Sequence, residues 1–139
     1  MRADQISLVQ RGFSAALPRA DAVATTFYAQ LFAAEPALRT LFKGDMADQR
    51  RKLMLTLGTV VQQLHAVETI LPAIRALAVR HAGYGVLPRH YELVGRALLA
   101  ALAQHLPAFD VAAREAWTAA YALISRAMLE AAATSRAAA

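Results

Sequence analysis

A chain of 139 residues holds one compact domain, long enough to bury about two-thirds of its unfolded surface. Its 58% apolar content is inflated by 34 alanines, whose methyls add little core but favour helix over the alternatives. The lack of cysteine excludes a disulfide scaffold, a thiolate zinc site, a cysteine nucleophile and a thioether-linked cofactor, and the net charge of +5 is spread over arginines from Arg2 to Arg136, not gathered into a phosphate track.

Punctuation divides the chain into helical stretches, and no alternating segment is long enough for a strand. The class is all-α. Residues 1–5 carry an acid and a glutamine where an export signal needs an apolar run, which points to the cytoplasm. Residues 4–17 form a first helix, capped by Asp4 and stopped by Pro18, and residues 21–34 a second that ends before Pro36. A short piece follows at 36–42. Gly44 then breaks the chain, and Asp45 or Asp48 caps a long helix to about residue 64. Residues 53–67, the longest uncharged run, contain Gln62, Gln63 and His65 and are too short for membrane insertion. Residues 68–81 make the next helix, with Pro72 in its first turn and Gly83-Tyr84-Gly85 after it. Pro88 opens a helix to residue 106 and Pro107 closes it. Asp110 caps the last helix, which carries Trp117, Tyr121 and Met128 and frays over 131–139. The whole of 1–139 is one domain, and no nucleic-acid partner is expected, because the one contiguous basic run, Arg50-Arg51-Lys52, has Asp45 and Asp48 close by.

Three polar residues fall on apolar stripes. At 100° per residue, Met46, Leu53, Leu57, Val60 and Leu64 lie within about 80° of Gln49. Gln49 is either an exposed first-turn residue or a polar group aimed inward at a partner. Ile70, Ile74, Leu77 and Ala78 lie within about 60° of His81, so the imidazole faces inward, as a core histidine bonded to backbone or as a metal ligand. His65, His90 and His105 sit near helix ends, too scattered to build a multidentate site. One imidazole cannot hold a bare ion against water, so a metal bound there arrives with most of its ligands attached, as iron does in haem. Tyr28 lies between Ala24 and Phe32 with Leu31 on the same face. Its ring is buried, and its hydroxyl needs a partner, either a carbonyl or a group within a site.

The order Thr26-Phe27-Tyr28-Ala29-Gln30-Leu31-Phe32, then Pro36, Leu41-Phe42 and Asp48-Gln49-Arg50-Arg51-Lys52-Leu53, resembles the globin family. Val79-Arg80-His81, His90-Tyr91-Glu92-Leu93-Val94-Gly95 and Ala116-Trp117-Thr118-Ala119-Ala120-Tyr121 are similar to its flavohaemoglobin and single-domain bacterial haemoglobin branch, so the likeness covers nearly the whole chain. It implies a globin fold, six to eight helices packed around a haem pocket. It also implies haem b, iron protoporphyrin IX, bound through His81 as the iron ligand. Phe42 packs on the haem face, and Tyr28, Gln49 and Leu53 form the distal trio, with Leu57 one turn further along. Val94 and Leu98 match apolar pocket positions, and Tyr91 matches a tyrosine that joins a proximal hydrogen-bond network; Arg80, next to His81, is either a propionate partner or, as is commoner, a surface arginine. In flavohaemoglobins that network includes a glutamate on the last helix. The matching position here is Ala132, and the nearest acid, Glu130, is rotated from it by about 200°.

The implied function is oxygen binding and transport, with O2 retained by hydrogen bonds from Tyr28 and Gln49, CO gaining less from them, and NO oxidised to nitrate. Neither a Gly-rich dinucleotide fingerprint nor residues to hold a flavin are found in the chain. No reductase domain is expected, and a nitric oxide dioxygenase cycle would draw electrons from a separate reductase. The expected assembly is a monomer or homodimer. The alternative is a haem-based gas sensor acting through a partner protein.

Overall fold

The helices of the computed structural model, which describes residues 1–138 in backbone and 1–137 in side-chain packing, follow the local chemistry of their ends. α1 (Ala3–Ala16), α2 (Ala20–Ala34), α3 (Met46–Gln62), α4 (Leu71–Gly83), α5 (His90–His105) and α6 (Val111–Ala138) are joined in places by 3-10 segments at Leu17–Arg19, Pro36–Leu41 and Leu64–Thr69. No strand occurs among the described residues. Asp45 caps α3, its carboxylate accepting from the Ala47 N–H at 3.3 Å, and Asp110 Oδ1 accepts from the Ala113 N–H at 2.8 Å at the start of α6. Such a cap stabilises a helix by about 1 kcal/mol.

Four boundaries depart from the sequence-based expectation. α1 starts at Ala3 with Arg2 in the cap position, where the Arg2 N–H donates to Gln5 Oε1 at 3.2 Å; Asp4 lies in the first turn, favourably placed for the helix dipole. Pro18 does not leave a gap, because a 3-10 turn tolerates its missing N–H and carries the chain directly into α2. α4 begins at Leu71, not residue 68, after a 3-10 segment kinked at Ala66 (φ −143°, ψ 51°). The last helix does not fray from residue 131: α6 stays helical to Ala138, held by alanine's propensity and by the burial of Ala132. Ala139 lies outside the described residues.

α2 packs across α5, while α1 and α4 both lie on α6. This arrangement produces a core in two parts. The larger joins Val9 and Phe13 of α1, Phe27 and Leu31 of α2, Leu98 and Leu102 of α5, and Trp117 of α6. The smaller comprises Ile74, Ala78, Tyr91 and Met128, where α4 meets α6 and the start of α5. Close approach is bought by glycine at two crossings. A Cβ on Gly58 would stand 3.1 Å from the Phe13 ring, and one on Gly95 would stand 2.7 Å from Cε2 of Tyr121. No helix among the described residues is long and apolar enough to cross a membrane.

Candidate functional site

Two adjoining cavities open where the two parts of the core meet. The first, about 140 Å³, is walled by Leu53 and Leu57 of α3, Leu98 of α5 and Trp117 of α6, among others. The second, about 120 Å³, is walled by His81, Val86, Tyr91, Ser125 and Met128. Val94, Tyr121 and Ile124 belong to both walls. Apart from His81 and the hydroxyl-bearing Thr56, Ser125 and the two tyrosines, the lining is apolar.

His81 is held by its own helix. Nδ1 lies 2.8 Å from the Leu77 carbonyl, which can only accept, so Nδ1 carries the proton and Nε2 keeps its lone pair. Burial keeps the imidazole below its ordinary pKa and the charge of Arg80 adds to this, while the bond to Leu77 opposes it. The ring is therefore neutral at pH 7, and its Nε2 has no hydrogen-bond partner among the described residues. The two readings of His81 left open by the sequence are compatible: it is bonded to backbone through one nitrogen and free to ligate through the other.

A second polar pair lies beside the first cavity. The Gln49 amide Nε2 donates to the Tyr28 hydroxyl at 3.1 Å, so Gln49 faces inward and the partner of Tyr28 is a side chain, not a carbonyl. Tyr28 is buried, which raises its phenol above the ordinary value, and Gln49 partly offsets the shift. Its ring stands edge-on to Phe27 (4.9 Å between centroids) and to half-buried Phe42 (5.4 Å). Tyr28, Gln49 and Phe42 form a cluster behind the cavity wall and touch it through Phe27 and through Leu53, one helical turn beyond Gln49. Leu53, Leu57, Val94, Leu98 and Tyr91 all line the cavities, whereas Arg80 is exposed and lies on neither wall.

The proximal network changes character. Ala132 is buried and carries no charge, and Glu130 is exposed in a separate groove with Leu71, Arg75 and Val79. Among the described residues no acid bonds to Tyr91; its carbonyl instead accepts from the Tyr121 hydroxyl at 2.5 Å. Burial raises the phenols of both tyrosines. Sequence reasoning missed Tyr121, Ile124, Ser125 and Met128 as wall residues. Trp117, Tyr121, Ile124 and Met128 share one face of α6 at helical spacing, and that stripe is readable, but the pattern of a cavity wall does not differ from that of ordinary core.

Among the described residues no group of three or more His, Asp or Glu could hold a metal ion. The donor set is a single neutral imidazole facing apolar walls, which fits a flat macrocycle that brings its own ligands and needs one axial base. The family model for globins matches residues 25–128. The chain is a globin.

Membership of the family implies haem binding, in agreement with that donor set. The globin is 30% identical over 132 residues to a flavohemoprotein of Deinococcus radiodurans, covering 91% of this chain and 32% of that protein. It is 33% identical over 113 residues to flavohemoprotein A of Dictyostelium discoideum, covering 78% of this chain and 28% of that protein. It thus spans between about a quarter and a third of the length of the curated relatives it matches. A bacterial globin of Campylobacter jejuni superposes with a TM-score of 0.84 at 22% identity, covering 96% of this chain and 97% of that one, a likeness of fold. An engineered carbene transferase made from a candidate nitric oxide dioxygenase of Rhodothermus marinus superposes at 0.89 with 26% identity, covering 99% and 97%.

Proposed function

We propose that this globin binds haem b through His81, retains dioxygen in the pocket flanked by Tyr28 and Gln49, and acts in the cytoplasm as a nitric oxide dioxygenase. The observation that carries the reading is the direction of the Gln49–Tyr28 bond. Because the Gln49 amide donates into the Tyr28 oxygen, the phenol's own proton is left for a further acceptor. Burial keeps that proton on the phenol at neutral pH. A haem held here by His81 would supply a reducible iron with a place for a diatomic gas.

The residues divide the remaining work. His81 offers Nε2 while Leu77 fixes its ring. Leu53, Leu57, Val94 and Leu98 keep water away from the pocket. Tyr28 presents a proton to the charged end of the gas, and such a bond to a partly charged acceptor is worth about 1.5–3 kcal/mol. The reaction NO + O2 + e⁻ → NO3⁻ balances with one electron. These 139 residues hold no flavin or dinucleotide fingerprint, so the electron comes from outside them, and we assign it to a separate reductase.

Stopped-flow oxygen off-rates for the wild type and Tyr28→Phe test the role of the phenol. Loss of the bond should speed release about ten- to a hundredfold, and an unchanged rate refutes it. The haem itself is tested by a Soret band that shifts under CO and is lost in His81→Ala.

A further inference from the structure

The chain carries no acid between Glu35 and Asp45, and none between Glu68 and Glu92. The fold brings these two stretches together. Gly85, at φ 97° in the turn after α4, has its Cβ direction 3.4 Å from Leu41 Cδ2. Nearby, Glu35 is bound by the Arg89 guanidinium and by His90 Nε2 at 2.8 Å. The Leu87 N–H donates to His90 Nδ1 at 2.9 Å, so His90 carries its proton on Nε2 and spends it on Glu35. Glu35 is thereby satisfied twice over.

The neighbouring cations have no such partner. Arg39, Lys43 and Arg80 are exposed and make no ion pair among the described residues, and the Arg39 guanidinium lies 5.5 Å over the ring of Phe32, beside the Tyr28 and Phe42 cluster. The turn that meets Leu41 at Gly85 displays Tyr84, 64% exposed, and Leu87, 47% exposed. An exposed aromatic and an exposed leucine on a corner that also carries unpaired cations suit a protein contact, which combines apolar area with charge. The patch is also wired to the iron ligand. The backbone N–H groups of Tyr84 and Val86 both donate to the His81 carbonyl, at 3.1 and 3.0 Å, and Val86 walls the second cavity.

We propose that the corner formed by Arg39, Lys43, Arg80, Tyr84 and Leu87 is the docking surface for an acidic electron-donating flavoprotein. This rests on the haem reading above and supplies the partner it requires. The donor would give up one electron, which a haem held by His81 would take up, while the residues of this corner bind and orient the donor. Opposite charge steers the encounter, while Tyr84 and Leu87 supply the area excluded from water.

Flavodoxin, an acidic flavoprotein, serves as the probe. Under anaerobic stopped flow, its reduced form should reduce the ferric protein at a rate that falls as salt rises from about 10 to about 300 mM. The double variant Arg39→Glu/Lys43→Glu should lower the low-salt rate by about tenfold or more. Reduction by uncharged photoreduced deazariboflavin should stay unchanged. A flavodoxin rate indifferent to salt or to the charge reversal overturns the proposal. A second readout does not need haem: titrating ¹⁵N-labelled protein with oxidised flavodoxin should shift the amides of Arg39, Lys43, Tyr84 and Leu87, less at high salt. Absent shifts overturn docking even where Tyr28→Phe behaves as proposed. Retained shifts in material that takes up no haem leave docking standing and remove the haem reading instead. Shifts of these amides with duplex DNA but not with flavodoxin assign the surface to nucleic acid and also overturn it.

Discussion

Gly95→Ala sets a gain in helix propensity against a collision, and the structure decides which wins. Replacing glycine by alanine inside a helix contributes about 0.5–1 kcal/mol. At this position the new Cβ would stand 2.7 Å from Cε2 and 3.0 Å from Cδ2 of Tyr121, about 1 Å inside ordinary carbon contact. The ring cannot simply withdraw, because its hydroxyl is fixed to the Tyr91 carbonyl. Overpacking of this kind costs about 1–3 kcal/mol, so the net effect is a loss of up to about 2.5 kcal/mol. In a Tyr121→Ala background the collision is gone, and the same substitution should stabilise by about 0.5–1 kcal/mol. Urea unfolding of the four proteins, followed by the fluorescence of Trp117, the sole tryptophan, at one fixed haem concentration closes the cycle. The reasoning fails if Gly95→Ala is stabilising in the wild-type background, or has the same effect in both.

Other residues give further tests. Tyr121→Phe removes only the hydroxyl and should cost about 0.5–1.5 kcal/mol in urea unfolding; no change would mean that Tyr91's carbonyl finds another donor. His81→Gly should abolish the Soret band, and added imidazole should restore it by entering the vacated space, whereas a band that persists without imidazole would place the iron ligand elsewhere. Arg89, and then His90, hold the Glu35 carboxyl below its ordinary pKa. A depressed carboxylate stabilises above its unfolded value and loses that contribution as pH falls through the folded one. Glu35→Gln should therefore lower the urea midpoint near neutral pH and flatten its decline towards pH 3. Parallel declines in the two proteins would show that the contact contributes nothing.

The helices were legible because their ends carry strong local signals. Asp45, Asp110, Pro36 and Pro107 act on the backbone within a turn, and the sequence read there needs no tertiary context. At the C-terminal end tertiary packing had overruled local tendency: Ala132 is buried, so α6 runs on through an alanine stretch that alone would fray. The inward direction of Gln49, Tyr28 and His81 was also legible from helical angles. Their partners were not, since Gln49 meets Tyr28 across 21 residues and no periodicity encodes a contact between helices. The role of Tyr121 was hidden for the same reason, because its place in both cavity walls arises only where α6 packs across α5.

The split core has a consequence for how long the protein lasts. The helix that bears His81 rests on α6 and on the short segment before it, and it shares no large cluster with α1 or α2. A prosthetic group joined to His81 and lodged between the two clusters would act as a rivet through both halves. Emptied, the halves would be fastened mainly by α5 and α6, leaving α4 the first element to open and the first to meet a protease. The abundance of the globin would then follow the supply of its pigment, with no dedicated regulator required.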